Sequence, residues 1–207
     1  MDRRAVIRAA LISLATLPLS TVTSTDATDA GTATTLEAFA DTLIPGAKRF
    51  PGDAAVAGVA GPPGGADVGY LDLLRHPLVG MGPLLPGVSA ALNVAAAWYA
   101  TTHLILLPIS VPSFVGLAHP HRTAVVDDLL HGPDRLVWVL MAMLASAAFD
   151  SAAHRHTADA VLNGHPGMTF TRFPLPGPDG LWRYTDYSYG RKLADTHPRT
   201  TVTGNPS

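Results

Sequence analysis

From Thr34 onward, apolar residues recur at helical spacing in blocks separated by Gly and Pro. Leu36, Phe39, Ala40, Leu43 and Ile44 mark a first amphipathic helix, which Thr34 or Thr35 is placed to cap and Pro45-Gly46 to end. Ala47 to Gly65 reads as loop with one turn of helix at Asp53–Val59, since Gly61-Pro62-Pro63-Gly64-Gly65 admits no regular structure. Asp67 is a suitable cap for a helix over Val68–Arg75, with Tyr70, Leu71 and Leu74 on one face and Pro77 closing it.

After an apolar, Gly- and Pro-punctuated loop at Leu78–Pro86, the spacing predicts a long helix from Gly87 to Leu107, bounded by Pro86 and Pro108. Ile109–Pro112 follows as a short strand-like link. His119–His131 is the next helix, with Val125, Val126, Leu129 and Leu130 inward and Asp127 and Asp128 outward. Gly132-Pro133-Asp134 breaks the chain, and Asp134 is placed to cap a helix over Arg135–His154. Apolar residues surround that last helix, so it is expected at the centre of the core.

No run alternates apolar and polar residues for long enough to build a sheet, so the fold is predicted to be all-α. The expected architecture is an irregular bundle of about five to six helices. Residues 34–163 are its helical domain, and residues 164–207 a Gly- and Pro-rich tail packed on it. Phe170, Phe173, Trp182, Tyr184, Tyr187 and Tyr189 make that tail too aromatic to stand free in water.

Composition narrows the partners. The chain is 47% hydrophobic and only 14% charged, which leaves little polar surface and favours a buried interface. A net charge of -2 without a basic block argues against nucleic acid. The absence of cysteine excludes disulfides, thiolate zinc sites, iron–sulfur ligation and covalent haem attachment in this chain.

At the amino terminus, Arg3 and Arg4 precede a short apolar run from Ala9 to Leu19. That run is shorter than the roughly 20 residues needed to span a bilayer. A charged start, an apolar middle and small residues at Thr25–Ala27 or Thr28–Ala30 describe an export signal, and Arg3-Arg4-Ala5-Val6-Ile7-Arg8 looks like its twin-arginine form. Residues 1–33 are therefore read as signal and flexible leader, and the protein as exported.

Candidate chemistry is sparse. His119-x-His121 and His154-x-His156 suggest ligand pairs, but residues two apart on a helix diverge, and helix-end histidines held by the helix dipole are the plainer explanation. There is no Gly-x-Ser-x-Gly elbow, and the glycines at 61–65 follow no strand and lack nucleotide-binding spacing. No catalytic, cofactor or metal residue is assigned. Tyr184, Tyr187, Tyr189 and Arg191 are the residue types of an interface anchor.

Leu36-Glu37-Ala38-Phe39-Ala40-Asp41-Thr42-Leu43-Ile44-Pro45-Gly46, the Gly-rich link into Gly69-Tyr70-Leu71-Asp72, the Arg3-Arg4 start and Tyr189-Gly190 together resemble the gluconate 2-dehydrogenase subunit 3 family. The resemblance covers about a fifth of the chain closely. It implies a small accessory subunit without a redox centre that binds a flavoprotein of the glucose–methanol–choline type, alongside a cytochrome subunit in some complexes. Such a subunit carries the export signal, assists maturation, and meets the membrane through the complex. Phe39, Ile44, Pro45, Tyr70, Trp182, Tyr184, Tyr187, Tyr189 and Arg191 are the candidate partner interface. The alternatives are a stand-alone exported protein with a histidine metal site, or a membrane-associated protein using Gly87–Leu107.

Overall fold

The computed structural model describes residues 29–46 and 63–174. Among them the fold is all-α, as the spacing predicts, with eight α-helices and no strand. Four are long: α1 (Asp29–Leu43), α3 (Leu85–Thr102), α5 (His119–His131) and α6 (Arg135–Ser151). Four are short: α2 (Tyr70–Arg75), α4 (Ser113–Gly116), α7 (Thr157–Leu162) and α8 (Pro166–Phe170). A 3-10 turn at Gly82–Leu84 leads into α3. The count exceeds the expected five to six because single-turn helices interrupt what reads as loop.

The central helix is α1, which packs against α2, α3, α4, α5 and α6. It is built largely from Ala and Thr, small enough for several neighbours to approach at once. Its buried residues run around most of its circumference: Thr32, Thr35, Leu36, Ala38, Phe39, Ala40, Asp41 and Thr42. The threonines survive burial partly by turning their hydroxyls back on the helix. Thr35 donates to Gly31 O at 2.8 Å and Thr42 to Ala38 O at 2.7 Å. Thr34 and Thr35 therefore lie inside α1 and do not cap it, and the predicted leader is already helical from Asp29.

Phe39 is the hub of an aromatic group. Its ring centroid lies 6.5 Å from that of Tyr70 on α2 and 6.0 Å from that of Trp138 on α6. Burial raises the Tyr70 phenol well above its ordinary pKa, and its hydroxyl donates to Met141 O at 3.3 Å. Phe39 and Tyr70 are both fully buried, so they belong to the core and leave the partner surface assigned to them. Ile44 and Pro45 remain half-buried at the end of α1.

The Pro- and Gly-rich excursion after α1 is pinched shut at its neck. Gly65 N–H donates to Ile44 O at 2.8 Å, and Ala66 N–H to the Asp41 carboxylate at 2.9 Å. The Gly46 and Gly64 backbones approach so closely that neither has room for a Cβ. Asp67 accepts from Gly64 N–H at 2.9 Å, so it closes this neck and does not cap α2, which starts at Tyr70 after the left-handed Gly69. The turn expected at Asp53–Val59 lies outside the described residues.

Asn93 is the polar tie between elements. Its amide donates to Thr35 Oγ1 at 3.2 Å and accepts from Phe114 N–H at 3.0 Å, joining α3 to α1 and α4 inside the core. Arg122 on α5 is likewise buried; its guanidinium donates to Leu117 O at 2.9 Å and to Val115 O, and lies 5.7 Å from the Phe114 ring centroid.

In α6, Val137, Trp138, Met141, Ala145 and Ala148 face inward. Leu136, Val139 and Met143 face outward, so the helix is not buried all round as its composition suggests. It also ends at Ser151, where Ala152 turns left-handed at φ 47°. Beyond it, Ala152, Ala160 and Met168 form a small core of their own, with Val161 and Phe173 packed on it. Gly164–Phe173 thus belongs to the helical body, through the packing of α8 on α6, and not to the tail. The tail's Trp182, Tyr184, Tyr187, Tyr189 and Arg191 lie outside the described residues, as do Arg3 and Arg4.

Candidate functional site

No Asp, Glu, Lys or Arg occurs between Arg75 and Arg122. Within this stretch α3 ends at Thr102, five residues before the predicted Leu107, and the reason is conformational. Leu104 adopts φ 56°, Leu104 N–H donates to Thr101 O at 3.4 Å and Ile105 N–H to Ala100 O at 2.8 Å. These two bonds form a left-handed helix stop at a position where glycine is the usual residue. No strand-like link follows, because Ile109 and Ser110 lie in a turn.

After this stop the chain alternates. Ile105 and Leu107 pack on the core, while Leu104, Leu106 and Ile109 point away from it. Leu104 is 91% exposed, Leu106 96% and Ile109 fully, and on the last turns of α3 Trp98 is 71% exposed. Four large apolar side chains therefore project from one end of α3 and its following loop without a charge among them. Isolated exposed leucines are ordinary; a run of this kind makes this end of α3 the candidate interaction surface.

The base of this tip is braced by an aromatic stack. The Tyr99 ring lies over His103, with centroids 3.9 Å apart and planes within 18°, and its hydroxyl meets His121 Nδ1 at 3.4 Å. His103 Nδ1 also donates to Tyr99 O at 2.9 Å. The predicted pair His119-x-His121 thus divides: His121 joins the stack, while the Nε2 of His119 is buried without a partner. Both sit at the amino-terminal end of α5, the wrong end for a dipole to favour a cation, which removes the plainer explanation for them.

His154 and His156 diverge as well. His156 precedes α7 and is exposed. His154 lies past the left-handed Ala152, where its ring meets Gly69 and sits 5.8 Å from the ring of His165. Burial, Arg155 and His165 together lower its pKa from the ordinary 6.5. Among the described residues no three His, Cys, Asp or Glu side chains are grouped to hold a metal ion, and no helix is long and apolar enough to cross a membrane.

Sequence reasoning reached the apolar composition of this region and missed the site. The signal lay in the run Leu104-Ile105-Leu106-Leu107-Pro108-Ile109, which reads as the end of a helix until its outward residues are known.

The chain belongs to the family of unknown function DUF5987, whose model matches residues 30–207. No curated protein and no solved structure matches it.

Proposed function

We propose that this protein is an exported, non-catalytic accessory subunit that binds a flavin-dependent dehydrogenase or oxidase of the glucose–methanol–choline type and assists its maturation and export. The observation that carries the reading is the uncharged tip of Trp98, Leu104, Leu106 and Ile109, a surface that water disfavours and a partner would cover. Two further features support it. The signal-like residues with Arg3-Arg4 precede the segment that the family model matches, as a leader would. The stretch that resembles the gluconate 2-dehydrogenase subunit 3 family, Leu36–Gly46, forms the central helix and the pinched neck on which the other elements are arranged.

The partner's substrate chemistry resides in the flavoprotein under this reading, and the present chain supplies a docking surface and an address. Trp98 is the anchor type most often found at the centre of protein interfaces, and the aliphatic side chains around it exclude water.

The test is co-expression with a flavoprotein encoded beside the gene in its native host. Co-purification is expected with the unaltered chain and is lost with Leu106→Asp combined with Ile109→Asp, while the circular dichroism melting curve stays unchanged. Recovery of the flavoprotein equally well with the double variant overturns the assignment of the surface. Recovery of the unaltered chain only as a free protein, with the flavoprotein unaffected by its deletion, overturns the function. Pelleting with phosphatidylcholine vesicles in place of the flavoprotein would replace a protein partner with a lipid one.

A further inference from the structure

The junction between α6, α8 and the turn before α2 is independent of the apolar tip. Gly69 at φ 78° brings its backbone against the His154 ring so closely that a Cβ there would lie 2.6 Å from Nε2. On the other side, His165 Nε2 donates to Val68 O at 3.0 Å, and its Nδ1 accepts from Met168 N–H at 3.4 Å, capping α8. Two histidines from the 152–173 segment thus grip two consecutive residues of one turn.

The two rings differ in how they are satisfied. His165 uses both nitrogens, one as donor and one as acceptor, which is the neutral Nε2–H form. In His154 both ring nitrogens are withdrawn from solvent and have no hydrogen-bond partner, although the residue as a whole is half-buried. A protonated His154 would need two acceptors where none is in place. The charged and titratable groups around it are Arg155, His165 and His76, which oppose a positive charge, and Asp72, which favours one. Besides the two histidines, the segment is kept closed by the small satellite core of Ala152, Ala160 and Met168 and by the packing of α8 on α6, where the Phe170 and Phe149 ring centroids lie 5.9 Å apart.

We propose that His154 and His165 form a proton-sensitive latch holding residues 152–173 on the Val68–Gly69 turn, and that protonation of His154 releases that segment. The direction follows from linkage. The neutral ring is favoured when closed, so the open state binds the proton more readily, and closure is lost as pH falls below about 6.5. A single proton changes the opening equilibrium by at most about tenfold per pH unit.

Hydrogen exchange of the full chain at pH 7.5 and 5.5, corrected for intrinsic rates, tests this. Peptides within 152–173 are expected to lose protection by up to about tenfold relative to α5 at the lower pH. His154→Phe keeps a neutral ring and is expected to abolish that difference, whereas His154→Lys carries a permanent charge and is expected to open the segment at pH 7.5. An equal pH effect in His154→Phe, or none in the unaltered chain, overturns the latch. If His154→Phe does not fold, the His154 Cε1–H resonance of the unaltered chain decides: the Val68, Gly69 and Met168 amides must titrate with the same midpoint, and stationary amides overturn the proposal.

Discussion

Leu104 holds a left-handed backbone conformation that a branched side chain enters at a cost of about 1 kcal/mol, and it spends nothing of that side chain on the core. Glycine would terminate α3 at the same place without strain. Leu104→Gly is therefore expected to stabilise the free chain, by at most about 0.5 kcal/mol after the greater freedom of glycine in the unfolded state is subtracted. Differential scanning calorimetry should show a Tm rise of about 1–2 °C. Under the proposed accessory role the same variant should weaken recovery of the flavoprotein, a loss of binding with a gain of stability that a purely structural role for Leu104 would not produce. Gly69 is the opposite case. Gly69→Ala combines a left-handed strain with collision against His154 and should cost about 2–4 kcal/mol in urea denaturation. Gly164→Ala is the control: its φ is 67° but no atom lies within 4 Å of the added Cβ, so it should cost only about 1 kcal/mol. The difference between the two isolates the His154 contact.

At the scale of elements, legibility depended on whether a boundary was written in residue type. His119–His131 matched its expected bounds because Pro120 stands in its first turn and Gly132-Pro133 ends it. The end of α3 was invisible because no Gly or Pro marks it; apolar residues continue past a stop made only by the backbone of Leu104. The start of α1 was hidden by its threonines, which read as loop until their hydroxyls are seen bonded to carbonyls four residues back. For α6, composition alone could not tell which apolar face meets the core, since Val139 and Met141 are chemically alike and oppositely placed. The least legible element contact is the one Asn93 makes, because a lone polar residue in an apolar helix carries no sign of its partners. Asn93→Ala strands Phe114 N–H and removes the donor to Thr35 Oγ1, and should cost about 2–4 kcal/mol. Thr35→Ala leaves only the Asn93 amide short of a partner and should cost about half as much, with the denaturant slope unchanged in both if the fold stays two-state.

At the scale of the whole molecule, the charges are divided unevenly. All 30 acidic and basic side chains, 16 and 14 respectively, lie outside residues 76–121, the stretch that contains the tip. The site was legible in the sequence to that extent, as a charge-free region, but which of its side chains reach water is decided by one left-handed residue and the alternation after it. The physical consequence can be measured without any partner. A free chain that exposes Trp98, Leu104, Leu106 and Ile109 together should self-associate reversibly as concentration rises, since burying these side chains removes apolar surface from water. Because no charge borders the tip within its own stretch, association through it should change little between 0.05 and 0.5 M sodium chloride, roughly a threefold change in screening length. It should strengthen with sulfate and weaken on cooling, the signature of a hydrophobic contact. Sedimentation velocity checks this, with Leu106→Asp combined with Ile109→Asp expected to remain monomeric at concentrations where the unaltered chain associates. Association that instead falls steeply with salt and survives the double substitution would place the contact among the charged residues outside this stretch, and would separate the exposed tip from the surface through which the chain associates.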